Sequence, residues 1–145
     1  MSVLLHKSNR PAVSVPKTAK VIDAVNVMVD HKVGAVIVLE NGKAAGIFTE
    51  RDVMTRVLSR KLDPATTPVS EVMTNPVVPI DFGADPSQAM QLMLERHIRH
   101  LPVVDADGKV LGMLSIRHLL HEEADRLRSE AIGLQNYAGY DGATG

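Results

Sequence analysis

Apolar residues at positions 21, 24, 25 and 28 share one helical face, so the spacing predicts a helix over 19–31. The run Ala35-Val-Ile-Val-Leu39 is short, β-branched and unbroken, and reads as a buried strand. Asn41-Gly42 follows, the dipeptide that suits a two-residue hairpin turn, and residues 44–48 supply the returning strand. A helix is expected from Thr49 to about Leu58. The same signals then return: helix 86–97, strand 101–104, an Asp107-Gly108 turn, strand 110–114 and a helix from Ser115. Asp85-Pro86 suits the start of its helix, with Asp as N-cap and Pro in the first turn. Short extended segments at 12–15 and 77–80 precede the two units. Residues 59–69 contain two prolines and read as a linker. Residues 119–132 extend the last helix, and the glycine-rich stretch from Asn136 has no periodicity and is expected to be mobile.

The chain therefore contains its own copy. Ala24 and Met28 recur as Ala89 and Met93, 65 positions on, while Gly42 and Gly46 recur as Gly108 and Gly112, 66 positions on. One residue has been added in the second turn. Each copy reads strand, helix, strand, strand, helix. The expected fold class is α/β (α+β): two β-α-β-β-α repeats packed sheet to sheet about a pseudo-two-fold axis. A unit of about 60 residues is too small to bury an ample core alone, which argues for that pairing. The expected division is 10–62 for the first domain, 70–124 for the second, and 125–145 for a helix end and flexible tail.

Composition narrows the function classes. Sixteen Lys and Arg against 17 Asp and Glu give a formal net charge of −1, which argues against a dedicated nucleic-acid binder. No cysteine is present, so a disulfide framework, a thiolate zinc site and a cysteine nucleophile are excluded. The longest apolar run is far below the ~18 residues of a membrane span. The first residues lack the layout of a signal peptide, and a cytoplasmic, membrane-free protein is expected. Aromatic residues make up only 3% of the chain, so the core must be aliphatic.

The chemistry concentrates at Gly46-Ile-Phe-Thr-Glu-Arg-Asp52, where a strand gives way to a helix. Free N–H groups at such a junction favour anions. Thr49 adds a hydroxyl, and Asp52, one turn on, can accept hydrogen bonds from a ribose diol. Taken alone, Thr-x-x-Asp reads first as a capping box and second as a ligand site; the two readings are compatible.

Two Gly-x-x-Thr/Ser turns in duplicate resemble paired CBS domains (cystathionine β-synthase domains), together a Bateman module. Val69-Ser-Glu-Val-Met-Thr-Asn-Pro-Val77 is similar to that family's entry into its second repeat, and Ile98-Arg-His-Leu-Pro-Val-Val-Asp105 to its second strand. The resemblance implies a regulatory sensor of adenosine-containing ligands: AMP, ADP or ATP, with S-adenosylmethionine or NAD as further options. It assigns ribose to Asp52, support to Thr49 and a wall of the base slot to Ile47. Basic positions that would meet phosphate are Arg99, His100 and Arg117, and Ser115 occupies the position of Thr49 in the second turn. The family's homodimers lead us to expect a contact through Val53, Met54, Val57 and Leu58 with Leu119 and Leu120, and output through an effector protein that the sequence does not name.

The second turn departs from the pattern. His118 stands where a carboxylate is expected, and a neutral imidazole cannot accept from both ribose hydroxyls. One good site, around Asp52, is expected, and a second that is weak, empty or altered. His100 would titrate near 6.5 and strengthen anion binding as pH falls. His97/His100 and His118/His121 are spaced three apart, but no metal site is expected from them. Arg56-x-x-x-Arg60-Lys61 reads as a solvated helix end. No catalytic set remains, so a non-enzyme is expected. The rivals are an interaction module with a vestigial site and a histidine-based metal protein.

Overall fold

The fold is that of a computed structural model, which describes residues 12–139. The first repeat holds β1 (Ser14–Pro16), α1 (Val21–His31), β2 (Ala35–Glu40), β3 (Lys43–Thr49) and α2 (Glu50–Asp52). The second holds β4 (Ile80–Asp81), α3 (Pro86–Arg96), β5 (His100–Val104), β6 (Val110–Ser115) and α4 (Ile116–Gly139). Each repeat makes one three-stranded sheet, β1-β2-β3 and β4-β5-β6. In both, the first pair is parallel and the second antiparallel. The expected mixed fold of two sheets with helices is the fold observed.

The duplication extends to backbone detail. α1 ends on Lys32 and α3 on His97, both left-handed at φ 55°, a position that caps a helix by turning the chain out of it. The hairpin turns differ as the changed offset implies. Asn41 and Gly42 both have positive φ, the geometry of the tight primed turn. The longer turn is held instead by Asp105, whose carboxylate accepts from the N–H groups of Asp107 and Lys109.

Each repeat builds its own apolar cluster. Val21, Ala24 and Met28 of α1 pack with Val36, Val38 and Phe48 in the first. Ala89 and Met93 of α3 pack with Leu101, Val103, Leu114 and Leu119 in the second. β2 is buried on both faces: Val36 and Val38 face the helices, while Ala35 and Ile37 are buried on the opposite face. Covering that opposite face takes a second layer, which is why the strand reads as an unbroken apolar run rather than an alternating one.

Three segments differ from the expected elements. The helix after Thr49 is α-helical only to Asp52 and then widens into a π-helix, Val53–Leu58, with Ser59 donating to the Met54 carbonyl at 3.0 Å. The linker is not loose. Val21 donates to Thr67 and Val69 to Ala19, and Val69, Val72 and Met73 sink into the first repeat's cluster. α4 runs past residue 132 as far as Gly139, covering part of the stretch expected to be a mobile tail; residues 140–145 lie outside the described residues. The expected dimer contact needs correction too. Val57 and Leu119 are fully or almost fully buried in the two clusters and cannot meet a partner, whereas Met54, Leu58 and Leu120 are exposed.

Candidate functional site

The site is built on the Thr49–Asp52 turn. Thr49 is the N-cap of α2, its hydroxyl accepting from the Asp52 N–H at 3.1 Å while the Asp52 carboxylate accepts from the Thr49 N–H at 3.1 Å. This is the reciprocal capping box expected from the spacing. Among the described residues Asp52 is also one of two buried polar side chains, at 5% exposure. A buried carboxylate needs more than one partner. Thr74 supplies the next: its hydroxyl lies 3.2 and 3.3 Å from the two carboxylate oxygens. Arg56 supplies the third, with Nε 3.6 Å from Oδ1 and Nη1 donating to the Met73 carbonyl at 2.9 Å.

Gly46 lets Thr74 come this close. The segment before β4 pairs with the open edge of β3, with Ile47 and Thr74 exchanging both backbone hydrogen bonds, at 2.9 and 2.7 Å. A Cβ on Gly46 would strike the Met73 sulfur and lie 2.9 Å from its Cγ and 3.0 Å from the Thr74 carbonyl oxygen. The glycine of Gly-x-x-Thr-x-x-Asp is thus a packing requirement of the site.

Beside the carboxylate opens a cavity of about 270 Å³ lined by both repeats. One wall is aliphatic: Ile47, Pro76, Val77, Val78 and Ile98. Thr49, Thr55 and Thr74 give hydroxyls. Three guanidinium groups, Arg51 and Arg56 from the first repeat and Arg99 from the second, outnumber the acids Glu50 and Asp52, with His97 and His100 beside them. Guanidinium groups bind phosphate and carboxylate in forked geometry, so the mouth suits an anionic group beside an apolar slot.

Of the residues singled out from sequence, Ile47, Thr49, Asp52, Arg99 and His100 line this one cavity. Ser115 and Arg117 are not among its lining residues. Ser115 sits at the end of β6, paired with His100 across the hairpin, and its hydroxyl accepts from the His118 N–H at 3.1 Å. Arg117 is exposed on the first turn of α4. Both belong to the second repeat's own turn, which repeats the first closely. Glu50 donates to the Gly34 carbonyl at 3.0 Å, and Ile116 to that of Arg99 at 2.8 Å. The copies part at one atom pair. His118 has no carboxylate to return to the Ser115 N–H, and its Nε2 is buried without a hydrogen bond, 3.8 Å from Glu122 Oε1.

His100 is held neutral more firmly than a free histidine. Burial lowers its pKa from 6.5; Glu50 works against this and Arg99 with it. The expectation of titration near 6.5 is therefore corrected downward. Sequence reasoning missed Thr74 and put Arg56 at a solvated helix end. The signal for Thr74 was within the Met73-Thr74-Asn75-Pro76 run, but pairing across 27 residues of chain is not visible as a spacing. Arg56 lies four residues from Asp52, an ion-pair spacing present in the sequence, whereas its bond to the Met73 carbonyl, 17 residues on, leaves no such signal. Among the described residues no group of three or more His, Asp or Glu is placed to hold a metal ion, and no helix is long and apolar enough to cross a membrane.

Two three-stranded βαββα units with a ligand-sized cleft between them define a paired-repeat binding module. The CBS domain model matches the chain twice, over residues 5–59 and 69–125, and the chain belongs to the CBS domain family. A CBS domain protein from Pyrobaculum aerophilum, solved in complex with AMP, is 26% identical, with a TM-score of 0.79 over 88% of this chain and 97% of that one. A CBS-domain containing protein from Agrobacterium tumefaciens is 31% identical, with a TM-score of 0.76 over 85% and 99%. A mitochondrial CBS domain-containing protein from Arabidopsis thaliana is 36% identical over 74% of this chain. The chain spans only 22% to 60% of the length of the first curated relatives it matches.

Proposed function

We propose that this chain is a non-catalytic regulatory module that binds one adenine nucleotide, of the AMP, ADP or ATP type, at Asp52. The observation that carries the reading is a cavity in which a buried carboxylate, an aliphatic slot and several guanidinium groups from both repeats converge. Asp52 accepts from the ribose hydroxyls, with Thr49 and Thr74 fixing its oxygens. The base lies in the slot of Ile47, Pro76, Val77, Val78 and Ile98, which offers no aromatic face, so its identity is read by backbone groups. Arg99 and, when protonated, His100 meet the phosphate, assisted by Arg51. The AMP complex of the Pyrobaculum aerophilum protein supports this ligand class. His118 leaves the second turn without a ribose acceptor, and that position stays empty.

The module works in the cytoplasm as a homodimer joined through exposed Met54, Leu58 and Leu120, and passes its signal to an effector protein. Because a nucleotide bridges the two repeats, occupancy alters how firmly they are held together. Thermal unfolding with AMP, ADP, ATP, S-adenosylmethionine and NADH tests the ligand class. A ligand at ~100 times its dissociation constant stabilises the fold by about 2.7 kcal/mol, a readily measured shift. No shift with any of the five at millimolar concentration overturns the reading.

A further inference from the structure

The last helix outruns the body that supports it. Leu119 is the last residue of α4 in the second apolar cluster. From Ala124 to Leu134 every residue is exposed. That is about 16 Å of helix at 1.5 Å per residue, a length only marginally stable in water by itself. It is nevertheless organised. Arg126 reaches both Glu123 and Glu130, and His121 lies 3.5 Å from Asp125.

Its apolar residues keep a fixed interval. Leu120, Ala124, Leu127, Ala131 and Leu134 follow one another at steps of four, three, four and three. The leucines at 120, 127 and 134 are 55%, 52% and 70% exposed. A mean spacing of 3.5 is the seam of a left-handed two-stranded coil, not the wider stripe of a helix lying on a globular core. Leucine alternating with alanine lets two backbones approach closely.

The charges beside the seam choose the occupant. Glu123 and Glu130 flank one edge, and His121 and Arg128 the other. In a parallel pair the glutamate edge faces the partner's basic edge, bringing Glu123 toward Arg128 of the partner subunit. In an antiparallel pair glutamate would face glutamate. We propose that the exposed length of α4 is a dimerisation helix that forms a parallel, in-register two-stranded coil with a second copy of this chain. Nucleotide binding is not required for it, and neither is the contact through Met54 and Leu58.

The absence of cysteine makes the test direct. Leu127→Cys and Ser129→Cys are made singly in the full chain, and each is oxidised with glutathione disulfide. Leu127 lies on the seam and Ser129 on the far side of the helix. Most of Leu127→Cys is expected to become a disulfide-linked dimer, while Ser129→Cys stays uncrosslinked. Glu123→Arg should lower the crosslinking yield of Leu127→Cys about fivefold, and adding Arg128→Glu should restore it. Equal crosslinking of both cysteine variants, or none in Leu127→Cys while light scattering reports a dimer or a monomer, overturns the proposal. An unchanged yield in Glu123→Arg overturns the parallel arrangement. Nucleotide-induced thermal shifts are read separately and are expected to be unchanged by all these substitutions.

Discussion

The turns Thr49–Asp52 and Ser115–His118 are the same structure built with different chemistry. In both, a hydroxyl at the strand end accepts from the N–H three residues on, at 3.1 Å. In both, the next residue donates to the loop that precedes the central strand. Only the first returns a carboxylate to its own cap and draws in Thr74 and Arg56. The fold thus needs half of the capping box at each turn. The other half is an addition in the first repeat, where it also orients a buried acid toward a cavity. A buried acid with partners on two sides is costly to assemble, and only one of the two copies carries it.

Removing the distinction has the largest expected effect. Asp52→Ala should weaken adenine-nucleotide binding at least a hundredfold and lower stability by about 2 kcal/mol, since it removes the carboxylate that accepts from both the Thr49 N–H and the Thr74 hydroxyl, while the Thr49 cap on the residue-52 N–H stays. Calorimetry and urea unfolding read the two losses separately. Gly46→Ala comes next. The added methyl must push Met73 and Thr74 off β3, for an expected loss of about 1–3 kcal/mol. Its nucleotide affinity should fall as well, because Thr74 leaves Asp52. Thr74→Val keeps the shape and removes only the hydroxyl, with about 1 kcal/mol of destabilisation expected. His118→Asp sharpens the comparison in the other direction: it supplies the missing acceptor for the Ser115 N–H and should raise stability by ~0.5–1 kcal/mol. A destabilised His118→Asp would show that the second turn depends on histidine for some other reason.

The smallest effect is that of pH. His100 has its pKa lowered by burial, so the unfolded chain binds its proton more readily than the fold does. Stability from this group is full above about 6.5 and declines as pH falls below that value. Nucleotide phosphate works the other way, favouring the charged imidazole, so affinity should rise over the same range. His100→Gln should flatten both trends, measured by thermal unfolding and titration between neutral pH and the low end of that window.

Much of this was legible in the sequence, for reasons that can be named. Val21, Ala24 and Met28 are buried as their spacing requires, and Asn41-Gly42 makes the turn that its two positive φ values allow. Asp52 stood out because capping and ligand binding ask for the same residue at the same place. Signals that depend on distant chain segments stayed hidden. Thr74 meets Asp52 only because strand-edge pairing brings the linker's end back onto β3. Arg56 stands four residues from Asp52, the ion-pair spacing of any helix, but its hold on the Met73 carbonyl depends on the same returning segment. Ser115 and Arg117 share a motif with the cavity residues but occupy the other turn, since a repeat pattern records equivalence and not proximity.

Of two equivalent turns, the one with a carboxylate is the one proposed to bind a nucleotide. The most direct measurement is isothermal titration of the full chain and of Asp52→Ala with AMP. One AMP per chain is expected for the natural sequence, and no detectable binding for the variant. Two AMP per chain, or equal affinity in Asp52→Ala, would contradict it.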